Sequence, residues 1–390
     1  MYTSPRLRSL LLAAAVLTTA TLALAKPHVV IVSMGGTIAS KATSRMNINN
    51  YGGKGLGVSP DEWLHDLPEV QEVATVTAED MRQPEGTVGG DTFEYLYKVA
   101  KRLQDLANDD TVDGIVVTHG TNTLAEAAWF MHLTVSVKKP VVFVGSQRPW
   151  SGISSDGPLN LYNAVRVAAT PEAGGMGVLH MMNDTLNGAR NVTKTNAYRV
   201  ETFKSIDTGP LGYADPDKVV IYDKPVRRHT ADSEFNIATL PPTLPPVEIL
   251  YAYTESPGYM VDALVEHGMK GIIIDGTGAG SPGGTQTDAI KKAQEKGVVF
   301  VATARTRGGR VEDTPRRREA KIVPGDNLPP EKARILLMLA LTKTTDLAEI
   351  QRIFDTYRTP PFPLLHYHEN SPPVQRPLPW RRTPDLFARC

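Results

Sequence analysis

From residue 27 onward, short apolar runs of strand length alternate with segments whose apolar residues recur at helical spacing, and no other feature of the chain restricts its fold as far. Strands joined by helical crossovers lie parallel and are buried on both faces, so each reads as a near-continuous apolar run. Residues 29–34, 115–118, 141–145 and 177–181 are runs of this kind. Between them, Phe93, Leu96, Val99, Ala100 and Leu103 carry a helical period across 92–106, and 124–135 and 159–169 read as further helices. The expected fold class is α/β, with a doubly wound parallel sheet in the first domain.

That pattern breaks over 223–246, where Pro225, Arg227-Arg228-His229, Pro241-Pro242 and Pro245-Pro246 predict an extended linker. Strands at 247–253, 271–274 and 298–301 then alternate with helices at 260–267 and 287–296, and helices at 330–341 and 346–357 close a second, smaller doubly wound domain. Two domains also suit a length of 390 residues, beyond what one core usually fills. The expected organisation is therefore a first domain at 26–222, the linker, and a second domain at 247–357. Beyond it, 358–390 holds eight prolines and five arginines against two acids, the composition of a basic, disordered tail.

Residues 1–25 have the three parts of a secretory leader: Arg6 and Arg8, an apolar run over 10–24, and the small-residue pattern Ala23-Leu24-Ala25. The run is short and broken by Thr18, Thr19 and Thr21, a poor match to ~30 Å of hydrocarbon. A mature chain starting at Lys26 and a periplasmic or secreted location are expected. The 42 basic and 42 acidic side chains cancel, leaving no overall field to draw nucleic acid or an anionic membrane. A small neutral or zwitterionic partner is the remaining class. The only cysteine, Cys390, is the last residue, which excludes an intrachain disulfide and a thiolate metal cluster.

Ligands of open α/β sheets bind at the carboxyl ends of strands, and three polar stretches fall there. They are Gly35-Gly36-Thr37, Thr118-His119-Gly120-Thr121-Asn122-Thr123 and Asn191-Val192-Thr193-Lys194-Thr195-Asn196. A threonine hydroxyl on a glycine-rich turn can attack a carbonyl, because the missing side chains let substrate and backbone N–H groups approach. Lys194, flanked by two threonines, is the candidate base, since burial or nearby cations lower a lysine pKa. Taken singly these signals are weak: a Gly-Gly-Thr run is usually a plain turn, a lone lysine a solvated group, and His119 a structural turn residue.

Taken together, in this order, they resemble the bacterial asparaginase and glutaminase family, and its type II L-asparaginases in particular. Gly35-Gly36-Thr37-Ile38-Ala39 is similar to the family's first signature and Gly114-Ile115-Val116-Val117-Thr118-His119-Gly120-Thr121 to its second. Val144-Gly145-Ser146-Gln147-Arg148-Pro149, Ser155-Asp156-Gly157-Pro158-Leu159-Asn160 and Val192-Thr193-Lys194-Thr195-Asn196 extend the likeness, which spans 27–357. The resemblance implies hydrolysis of a side-chain amide through Thr37 as acylated nucleophile. Tyr51 assists it, and Thr121 and Lys194 work as a hydroxyl–amine pair. It implies no metal or organic cofactor, and a homotetramer whose sites lie between the first domain of one subunit and the second domain of a neighbour, which contributes a glutamate from the region that holds Glu312 and Glu319.

Three substrate-side positions depart from the family. Asn122 stands where an aspartate pairs with the lysine and holds the substrate's α-ammonium group. Ala78 replaces a carboxylate-binding serine, with Thr77 the neighbouring hydroxyl, and Ala279 replaces asparagine or serine. Glu79 is then the expected carboxylate for the ammonium. A neutral amide supplies no counter-charge, and charge-assisted hydrogen bonds are about twice as strong as neutral ones. Two alternatives stay open: a family member that binds amino acids or amides with little turnover, and an amidohydrolase for amides without a free α-ammonium. Gly278, Gly280 and Gly283 also satisfy a dinucleotide-type glycine spacing, but Pro282 and Gly284 crowd that turn.

Overall fold

The computed structural model describes residues 25–84 and 91–357. The apolar part of the expected leader and the proline-rich tail lie outside the described residues.

Strand β1 (His28–Ser33) is buried from Val29 onward, as a central parallel strand requires. After α1 (Pro60–Asp66) and α2 (Val70–Val73), β2 (Thr75–Asp80) pairs parallel with β1 at the sheet edge. Then come α3 (Phe93–Asn108), β3 (Gly114–Thr118), α4 (Leu124–Thr134), β4 (Val141–Val144), α5 (Gly157–Ala168) and β5 (Val178–Met182). Thr92 caps α3 by accepting from the Tyr95 amide, and the helix buries Leu96, Val99, Ala100 and Leu103 on one stripe. The parallel strands run in the order β2-β1-β3-β4-β5. Chain connectivity reverses between β1 and β3, so their following loops part there and leave a crevice.

Past β5 the sheet departs from the all-parallel expectation. Strands β6 (Thr185–Gly188), β9 (Gly212–Ala214) and β10 (Val219–Ile221) extend it antiparallel to eight strands, while β7 (Thr193–Lys194) and β8 (Phe203–Lys204) form a separate short hairpin. A two-residue turn is enough to join antiparallel neighbours, whereas each parallel pair needs a crossover. This edge therefore fits in little sequence.

Residues 223–246 hold no strand, yet they are not loose. Phe235, Ile237 and Leu240 are buried, and the Ile237 amide donates to the Thr134 carbonyl at the end of α4. The second sheet consists of β11 (Val247–Tyr251), β12 (Gly271–Gly276), β13 (Val299–Ala304) and β14 (Ile322–Pro324), parallel and in chain order. Between and after them lie α6 (Tyr259–Glu266), α7 (Gln286–Glu295), α8 (Pro315–Glu319), α9 (Pro330–Leu341) and α10 (Leu347–Tyr357). Helix α9 packs against both α4 of the first domain and the strands of the second sheet. Among the described residues no helix is long and apolar enough to cross a membrane.

Candidate active site

Thr37 follows two glycines with φ near +90°, a conformation that excludes other side chains. A Cβ on Gly36 would lie 2.3 Å from the Gly120 backbone, so the turns after β1 and β3 touch only because Gly36 has none. This contact brings the Thr37 and Thr121 turns together at the reversal point between the two strands. Thr37 Oγ1 lies 2.8 Å from Tyr51 Oη, which the segment after the turn folds back to present. The Ser40–Gly57 bridge and the Lys41 amide bonded to the Leu56 carbonyl close that segment at its base.

The second pair forms across a much longer sequence gap. Lys194, on β7, donates from Nζ to Thr121 Oγ1 at 2.8 Å. Burial lowers the Lys194 pKa from the ordinary lysine value, which enlarges its free-amine fraction. His119 is buried and turned away from this chemistry: Nδ1 lies 2.8 Å from the Gly120 carbonyl oxygen, and Nε2 faces Asp91 at 3.2 Å. Burial works against ionisation of Asp91, but the adjacent His119 ring and the hydrogen bond from Thr123 hold its carboxyl below the ordinary value. His119 therefore braces the turn.

Cavities lie beside both pairs. One of about 700 Å³ lies beneath the Tyr51 segment, against Gly35, Gly36, Ser40, Asp80 and Arg82. Another of about 360 Å³ is lined by Thr121, Asn122, Glu126, Lys194, Arg307 and Glu331, the last two from the second domain of the same chain. Asn122 is exposed at this cavity, next to Lys194. Burial, and secondarily Glu331, raise the Glu126 carboxyl above the ordinary value.

The expectation for Glu79 meets a different geometry. Arg102 of α3 grips its carboxylate through Nε and Nη2 at 2.9–3.0 Å, and Glu79 lines neither cavity. The pleat of β2 explains this, since successive side chains point to opposite faces. Thr77 and Glu79 share one face, and Thr77 Oγ1 is likewise occupied, 2.9 Å from His28 Nε2. Ala78 and Asp80 share the other, where Ala78 packs on the apolar core and Asp80 lines the larger cavity. Of the glycines after β12, Gly283 serves packing: a Cβ there would meet the Tyr253 carbonyl at 2.4 Å. Arg82, at the larger cavity, and Glu126, Arg307 and Glu331, which come together only in space at the smaller one, lie in no sequence motif.

The asparaginase N-terminal family model matches residues 28–227 and the glutaminase/asparaginase C-terminal domain model matches 246–354. The chain is 42% identical over 333 residues to L-asparaginase 2 of Bacillus subtilis (strain 168), covering 85% of this chain and 87% of that protein. It is 40% identical over 336 residues to the glutaminase-asparaginase of Pseudomonas fluorescens biotype A, covering 85% and 90%. The crystal structure of a "Probable Cytoplasmic L-asparaginase" from Campylobacter jejuni superposes with TM-score 0.80 at 38% identity, over 85% of this chain and all of that one. With both domain models matched in order across the two sheets, and relatives aligned over nearly their whole length, the chain belongs to the asparaginase family of amidohydrolases.

Proposed function

We propose that this protein hydrolyses the side-chain amide of L-asparagine or L-glutamine through a threonine acyl-enzyme. The observation that carries this reading is the convergence of two hydroxyl-centred pairs, Thr37–Tyr51 and Thr121–Lys194, each at 2.8 Å, on turns locked together by Gly36 and Gly120. Thr37 Oγ1 attacks the amide carbon as its proton passes to Tyr51, which relays its own phenolic proton to the amide nitrogen. The C–N bond then breaks and ammonia leaves, with Thr37 held as an ester. Water, activated by the Thr121–Lys194 pair, then cleaves the threonine ester to release the acid. Each positioned proton transfer is worth about 10²–10⁴-fold in rate. The backbone N–H groups of the glycine turn are the nearest candidates to stabilise the oxyanion.

A second reading, an amidohydrolase for substrates without a free α-ammonium, is favoured by one specific observation. Asn122 is neutral and Glu79 is already paired with Arg102, so neither expected position offers a free carboxylate. An ammonia-release assay with asparagine, glutamine and their α-acylated analogues separates the readings. Thr37→Ala is expected to abolish turnover with the fold intact by circular dichroism, and Thr37→Ser to retain part of it. Parental turnover in Thr37→Ala would overturn the acyl-threonine mechanism. Export and assembly as a homotetramer complete the proposal. Export rests on the residues before Lys26, and the Campylobacter jejuni relative is described as cytoplasmic.

A further inference from the structure

Helix α9 reads Pro-Glu-Lys-Ala-Arg-Ile-Leu-Leu-Met-Leu-Ala-Leu, and its Lys332 is wholly buried. An ammonium in an apolar interior is tolerated only when its three N–H groups all find acceptors. Lys332 Nζ donates to the carbonyls of Ala189, Arg190 and Val192 at 2.6, 3.1 and 2.5 Å. Those carbonyls belong to the first domain and come from the segment that leads directly into Lys194. The same residue is tied a second time: its own carbonyl accepts from Trp129 Nε1 at 3.0 Å. Trp129 is fully buried on α4, the helix that begins three residues after Thr121. Arg190 reinforces the link by donating to the Tyr357 carbonyl at 2.9 Å and to Asn327 Oδ1 at 2.7 Å, both in the second domain. Burial pulls the Lys332 pKa down to about 7 while Glu331 pulls the other way, and the three carbonyls accept best from the charged form.

We propose that Lys332 is a positioning residue for amide hydrolysis: from the second domain it holds the two first-domain segments that carry Thr121 and Lys194 in the register that puts the amine on the hydroxyl. Its ammonium fixes one segment and its carbonyl the other, so hydroxyl–amine geometry depends on how the second domain docks within the same chain. The kinetic part of this inference rests on the proposed amidase activity, whereas the structural part does not.

The test compares the full chain with Lys332→Met, which keeps the length of the side chain and removes its donors. Lys332→Gln, which retains N–H donors, is measured alongside in case the methionine variant does not fold. Hydrogen exchange read by mass spectrometry should show faster uptake confined to residues 189–196. With asparagine, kcat should fall about 10–100-fold, as displaced catalytic groups do, with KM little changed. Lys332→Gln should recover part of the loss. In a Lys194→Ala background, Lys332→Met should reduce the residual rate by no more than about twofold, because residues acting through one group are non-additive. Unchanged exchange over 189–196, or losses that multiply in the double variant, would overturn the proposal. The exchange experiment needs no turnover, so it stands even if Thr37→Ala shows that the amidase reading is wrong.

Discussion

Lys194 and Asn122 share one cavity wall, and the chemistry of that wall depends on a charge that this chain lacks. Burial already holds the lysine below its ordinary pKa, so the rate should rise as pH climbs through that lowered value. Asn122→Asp places a carboxylate there, which favours the ammonium form and raises the lysine pKa, moving this limb of the pH–rate profile to higher pH. For a substrate with a free α-ammonium the new charge also supplies a hydrogen bond worth about 1.5–3 kcal/mol, roughly a tenfold to hundredfold gain in kcat/KM above the limb. The α-acylated analogue should show the shift without the gain. A limb that stays in place would mean that Lys194 is not the titrating base. At Glu79, with the carboxylate held by Arg102, Glu79→Gln should cost about 0.2–1 kcal/mol in a denaturant titration, as for a partly exposed ion pair. KM for asparagine should barely move. A sharp rise in KM would instead return Glu79 to the substrate. The sequence identified Thr37, Thr121 and Lys194 one motif at a time, but only strand parity tells which face Glu79 takes, and the polar run Thr-Val-Thr-Ala-Glu-Asp hid β2 from a search for apolar runs.

Among the elements, the strands that were legible are those buried on both faces. β3 and β4 are apolar along almost their whole length, and α3 shows its stripe openly. The antiparallel edge was not legible, since β9 and β10 have three residues each and β7 and β8 two, too few to show any period. Yet β7 carries Lys194, so the least readable strand holds a candidate catalytic group. The glycine turns were readable as flexible but not as touching. Gly36→Ala tests that contact, because it adds a methyl 2.3 Å from the Gly120 backbone at a residue with φ of +89°. Overpacking and left-handed strain each cost about 1–3 kcal/mol, and relief requires the Thr37 and Thr121 turns to separate. A lowered melting temperature together with lost ammonia release is the expected result; a variant with parental stability would show that the turns have room to part.

For the molecule as a whole, the question is whether one chain contains a complete site. The second domain of the same chain already reaches the Lys194 cavity through Arg307 and Glu331, which pair with each other at 2.5 Å. Glu312 and Glu319, in the region from which the family resemblance draws a neighbour's carboxylate, are exposed and line neither cavity. If either serves a site, that site belongs to another subunit. A mixing experiment decides it, using Thr37→Ala as one inactive parent and the double variant Glu312→Gln/Glu319→Gln as the other. In a dimer with two shared sites, a mixed pair places both lesions in one site and leaves the other intact. Random exchange makes half of the dimers mixed, so about a quarter of all sites should regain activity. Refolding the two parents together should therefore restore about a quarter of the parental rate on asparagine, and refolding each alone should restore none. If the double variant alone keeps the parental rate, these glutamates serve no site. If it is inactive and mixing recovers nothing, each chain contains its own complete site and assembly contributes stability alone.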